Sequence, residues 1–157
     1  MRAVRSKAAR SLTRSDSGTA LAEIALVLPL LVLVLIGLIE VGRFGSYTIL
    51  VGNAARAGVQ YGAQNTVTAF DVAGMQNRAK SDGQNITGLT ATASSFCQCA
   101  DGTASTCLAT DCSTSHRLVF VQVLTSATIP SLTNSALLPA SLRTTTINGK
   151  AVMRVAQ

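Results

Sequence analysis

One stretch of the chain differs from all the rest in its alternation of apolar and polar positions. From Ile24 to Ile39 (IALVLPLLVLVLIGLI) no charged side chain occurs, and Glu23 and Glu40 close the two ends. A soluble amphipathic helix shows polar positions every three or four residues, so a run apolar on every side is a membrane pattern. At helical rise the run covers about 24 Å, somewhat less than a hydrocarbon core of about 30 Å. Thr19–Ala22 and Val41–Phe44 are therefore expected to complete the span, which places a transmembrane segment at about residues 21–43.

Helical spacing continues beyond that span through GSYTILVGNAARAGVQYGA, so Thr19 to about Ala63 is predicted to be one helix of about 67 Å. Pro29 lies inside the apolar run and cannot donate a backbone hydrogen bond, which predicts a kink there. Neighbouring helices in a membrane can cover such a defect. Glu40 and Arg43 stand three apart and can pair on one face. Ala54, Gly58 and Gly62 recur every four residues as a stripe of small side chains that lets another backbone approach, either this chain's own sheet or a second helix.

After Ala63 the chain turns to Thr, Ser, Asn, Ala and Gly. Phe70–Ser81 (FDVAGMQNRAKS) is predicted to be a short second helix, and Gly83 and Gly88 end it. Leu89–Ala93 is a short candidate strand. Leu118–Thr125 (LVFVQVLT) is the clear one, with Val119, Val121 and Val123 alternating to one face. Pro130 and Pro139 punctuate the following connection. Arg143–Ile147 and Lys150–Ala156 around Asn148-Gly149 then predict a closing hairpin, because Asn-Gly suits a two-residue turn. A long helix lying on a small antiparallel sheet is an α+β architecture.

Charge changes this picture mainly at the amino end. The net charge of +6 is concentrated in Arg2, Arg5, Lys7, Arg10 and Arg14, opposed there only by Asp16. Without that segment, 8 basic residues face 6 acidic ones, a net of +2. No basic stripe remains to neutralise a phosphate backbone, so nucleic acid is not an expected partner. The basic amino-terminal segment does predict a cytoplasmic N-terminus, with the C-terminal domain on the far side of the membrane.

Three readings compete for the apolar block. A secretory signal peptide should end at a small-residue cleavage site soon after the run, and the helical pattern continues instead. A plain anchor explains length and orientation but leaves a carboxylate, Glu23, inside the first turns. If the chain is instead cut after Gly18, Thr19 becomes the new N-terminus and Glu23 the fifth residue of the mature helix. There the macrodipole favours the carboxylate, which can neutralise the α-amine of a neighbouring subunit in an apolar bundle.

The run GTALAEIALVLPLLVLVLIGLIEVGRF, with NAARAGVQYGA after it, resembles the TadE family of pseudopilins from tight-adherence (Flp-type) pilus systems. The resemblance covers roughly residues 15–63, and the closing Lys150–Ala156 run is similar to the family's last strand. It implies a type IV pilin-like fold, removal of a leader by a prepilin peptidase after Gly18, and an assembly role for Glu23. The implied organisation is a leader at 1–18, a long helix at 19–63 and an external α+β domain at 64–157. Its implied partners are the peptidase, other Tad pilins, the inner-membrane assembly platform and the lipid bilayer, in a homo- or hetero-oligomeric pilus complex serving adhesion or secretion. A membrane-anchored periplasmic binding protein that does not polymerise is the alternative.

Cys97, Cys99, Cys107 and Cys112 cluster in what the pattern marks as a loop between the first and main strands. In an oxidising compartment an even, clustered set predicts two disulfides. Bridging Cys97 to Cys99 is sterically disfavoured, which leaves 97–107 with 99–112, or 97–112 with 99–107. Four thiolates could instead hold zinc, but Cys-x-Cys is not the usual knuckle spacing, and no metal is expected. His116 is the only histidine, beside Arg117 at the start of the strongest strand. Asp71, Asp82, Asp101 and Asp111 are scattered without a calcium-loop pattern. No nucleophile has an identifiable base, so neither an enzymatic role nor a cofactor is expected.

Overall fold

A computed structural model describes residues 17–108, 110–132 and 143–156. The leader at 1–18 thus lies almost wholly outside the described residues, as does Pro139. The chain divides into two compact units, residues 1–39 and 40–157. The first contains the amino-terminal half of helix α1, which as a whole runs Ser17–Gly62. Its side chains from Ala20 to Ile39 are exposed, Leu26 to 80 %. The helix continues unbroken through Pro29.

In the second unit, the carboxyl half of α1 is followed by α2 (Thr66–Phe70), α3 (Val72–Asp82), β1 (Thr90–Cys99), β2 (Ala104–Ser105), β3 (Arg117–Pro130) and β4 (Thr144–Arg154). The short helices start where polar side chains satisfy free backbone N–H groups. Asn65 accepts from Val67 and Thr68 at 2.9 Å each, and its own N–H donates to the Thr68 hydroxyl. Asp71 caps α3 by accepting from the Gly74 N–H at 2.8 Å. The expected helix over Phe70–Ser81 is therefore shifted: Phe70 closes α2, Asp71 is the cap, and the helix proper starts at Val72.

The sheet is antiparallel throughout, in the order β2-β1-β3-β4. Central strand β3 alternates as expected, with Val119, Val121, Val123, Thr125 and Ala127 buried on one face. That face packs with Ala55 and Val59 of α1 and Met75 and Ala79 of α3 in one cluster. A second cluster joins Val51 to Ile86, Ala127 and Ile147.

Two expectations about strands are corrected. Leu89–Ala93 becomes a 10-residue strand, Thr90–Cys99, paired along its length with β3. The closing hairpin does not form: β4 runs straight through Asn148 and Gly149, which pair with Ser126 and Thr125. Gly149 serves close approach instead of a turn. A Cβ there would stand 2.6 Å from the Thr125 hydroxyl oxygen and 2.7 Å from the Val51 carbonyl oxygen.

Candidate functional site

Two regions carry the chemistry singled out by the sequence. The first is the start of α1. Gly18 and Thr19 lie in its opening turns, and Glu23 is exposed one turn later. Around Glu23, the side chains of Ile24, Val27, Leu28 and Leu31 line a shallow apolar groove. Residues Ala20–Gly62 form a helix long and apolar enough to cross a membrane, and its most apolar stretch is exposed on every side. In water this surface would carry a large hydrophobic penalty; in lipid it carries none.

Further along α1, Arg43 donates to the Glu40 carboxylate at 3.1 Å, the pairing expected from their spacing. Glu40 also accepts from the Leu132 N–H at 3.2 Å. Ala54 is fully buried, and Gly58 and Gly62 are buried beside it on the same stripe. A Cβ on Gly58 would meet the Met75 carbonyl oxygen at 2.9 Å and Val123 at 3.1 Å; one on Gly62 would meet the Met75 sulfur at 2.3 Å. This chain's own α3 and β3 thus occupy the space that the small residues leave. Beside them, the Tyr61 hydroxyl donates to Asp71 at 2.8 Å. The Gly74 N–H and the Tyr61 hydroxyl hold the Asp71 carboxyl below its ordinary value, while the bond to Asp71 pushes the Tyr61 phenol up.

The second region is the cysteine segment. Cys97 and Cys99 are on β1 itself, not in a loop, and both point to the buried face. Cys97 bonds to Cys107 and Cys99 to Cys112. Strand pairing selects this connectivity, because Cys97 lies opposite Ser105 on β2, two residues before Cys107. All four sulfurs are used in these bridges, which removes the thiolates a zinc site requires.

Between the bridges, Asp111 organises the turn. One carboxylate oxygen accepts from the Thr106 hydroxyl and N–H at 2.7 Å each, the Ser105 hydroxyl at 3.0 Å and the Leu108 N–H at 3.3 Å. These bonds, the Thr106 hydroxyl foremost, hold the Asp111 carboxyl low. Arg117 donates to the carbonyl of Cys107, whose φ of 72° is left-handed. Sequence spacing left Asp111 among the scattered acids; its partners become evident only once the loop is closed. His116 is exposed, and its backbone carbonyl accepts from the Ala100 N–H. Among the described residues no group of histidine, cysteine and carboxylate side chains could hold a metal ion.

An exposed apolar helix together with a small antiparallel sheet and two disulfides defines a class, the α+β protein of pilin-like architecture with a candidate membrane anchor. Within that class residues 18–60 match the family model described as TadE-like protein, and over this segment the chain is similar to that family. No curated protein and no solved structure matches the chain.

Proposed function

We propose that this chain is a minor pilin or pseudopilin that takes part in assembling a Tad (Flp-type) pilus. It is processed by a prepilin peptidase after Gly18 and acts by association, with no catalytic turnover. One observation carries the reading: the TadE-like match begins at Gly18 and contains Glu23 in the first turns of an exposed apolar helix. A carboxylate placed there has no described partner within its own unit, and the new α-amine of a neighbouring subunit supplies one. The basic leader keeps the N-terminus cytoplasmic, so the disulfide-bonded unit lies in the oxidising periplasm. Partners in this reading are the peptidase, the other Tad pilins and the inner-membrane assembly platform.

Mass analysis of the N-terminus of membrane-extracted protein tests it. A mature chain starting at Thr19 is expected. An intact Met1, or a start beyond Ala63, would remove the basis for pilin processing and leave the anchored, non-polymerising reading.

A further inference from the structure

A cleft at the amino-terminal end of the α+β unit has no role in pilus assembly as proposed above. Phe44 and Tyr47 on α1 face Ile129 and Pro130 of β3 and Thr145 and Ile147 of β4 across a space of about 280 Å³. Arg43 and Glu40 also line it, as does Ser131, whose hydroxyl oxygen is buried with no hydrogen-bond partner among the described residues.

We propose that this cleft holds one acyl chain of a bilayer phospholipid, with the lipid phosphate on the Arg43 guanidinium. The inference rests on the membrane-anchored reading of α1. Its first support is position along the helix. Glu40 is both the end of the charge-free run and the start of the cleft wall. Glu40 to Tyr47 covers about 10 Å of helix, enough to cross one headgroup layer of about 5–8 Å. A span that ends at about residue 43 therefore sets Arg43 and Phe44, in the middle of this wall, at the membrane boundary.

The second support is chemical. Tyr47 is of the amphipathic aromatic type that settles at that boundary, and the wholly apolar ring of Phe44 is 50 % exposed. A water-filled cleft would leave this apolar wall hydrated, whereas an acyl chain removes it from water. The third support is donor capacity. Arg43 places one nitrogen on Glu40, and a guanidinium carries five N–H donors in a fork that suits phosphate. The Ser131 hydroxyl, without a partner among the described residues, is a second donor, of the kind an ester carbonyl of the lipid would accept from. A bilayer phospholipid is favoured over a soluble apolar ligand because the anchor keeps the cleft at high effective lipid concentration.

The test uses the full chain in vesicles of phosphatidylethanolamine and phosphatidylglycerol, followed by detergent extraction and native mass spectrometry. One phospholipid retained per chain is expected. Thr145→Phe fills the cleft from an exposed position and should abolish retention without loss of folded signal by circular dichroism; Arg43→Gln should lower it by about tenfold. A photo-crosslinking amino acid at position 145 should capture phospholipid.

No stoichiometric lipid on the wild type, equal retention by Thr145→Phe, or capture of a protein chain at position 145 would each overturn the proposal. Membrane fractionation of the same samples separates the two readings. A chain that sediments with membranes but retains no lipid loses only the cleft proposal; one that stays out of the membrane fraction loses the anchor as well.

Discussion

The Thr125 hydroxyl donates to the Val51 carbonyl oxygen at 2.8 Å, a buried bond that ties the central strand to α1 across 74 residues of sequence. It depends on the missing side chain of Gly149, which lies beside Thr125 on β4 and lets the helix backbone come close. Thr125→Val keeps the shape and removes the donor, so it should cost about 1 kcal/mol of stability. Gly149→Ala forces a Cβ against two oxygen atoms and should cost more, about 1–3 kcal/mol. Denaturant unfolding of the full chain in detergent, followed by circular dichroism, measures both. Equal stability of wild type and Gly149→Ala would show that the approach is looser than described.

The helix stripe offers a matched pair of substitutions. Gly58 has the Met75 carbonyl oxygen 2.9 Å from its would-be Cβ, whereas nothing lies within 4 Å of Gly52. Gly58→Ala should therefore lower stability by about 1–3 kcal/mol. Gly52→Ala should raise it by about 0.5–1 kcal/mol, through the better helix propensity of alanine alone. The same unfolding measurement decides, and opposite signs are expected.

Peptide mapping without reduction should recover Cys97 joined to Cys107 and Cys99 joined to Cys112. The bridges close segments with sequence separations of 10 and 13 residues. Loops of this size imply a loss of about 2–4 kcal/mol when either is removed, for example by Cys99→Ser with Cys112→Ser. Mapped peptides linking Cys97 to Cys112 would contradict the register of β1 against β2.

Acid should act through Asp71. Its carboxyl is held below the ordinary 3.8 by the Gly74 N–H and the Tyr61 hydroxyl. A depressed carboxylate contributes stability that is complete above its unfolded value and is lost as pH falls through its folded one. Asp71→Asn retains a capping oxygen but no titrating group. The wild type should be the more stable of the two at neutral pH, and the gap should close as pH falls below about 4. A gap independent of pH would assign the effect to capping alone.

The assembly role proposed for Glu23 can be tested apart from anchoring. Glu23→Gln removes the charge and preserves size, so membrane insertion should persist or improve while incorporation into a pilus complex falls. Co-purification with other pilins reads the second quantity. Unchanged processing and unchanged assembly would leave Glu23 without a role in either.

The features legible in the sequence are those set by near neighbours. The charge-free run between Glu23 and Glu40, the helical period continued to Gly62, and the alternation of Val119, Val121 and Val123 each repeat over a few positions. Solvent preference alone sorts such repeats into candidate span, helix and strand face. The Glu40–Arg43 pair is equally local.

Tertiary structure decided whatever depends on a distant residue. Asn148-Gly149 has the local chemistry of a turn, yet the Val51 backbone, far away in sequence, makes Gly149 a point of close approach within a continuous strand. The cysteine sequence left two connectivities open, and the pairing of Cys97 opposite Ser105 selected one. Likewise, the spacing of Ala54, Gly58 and Gly62 announced a contact without naming its partner; the packing of α3 and β3 supplied it. Local periodicity reports which way a side chain faces, but strand register and backbone approach are set between segments that the sequence keeps apart.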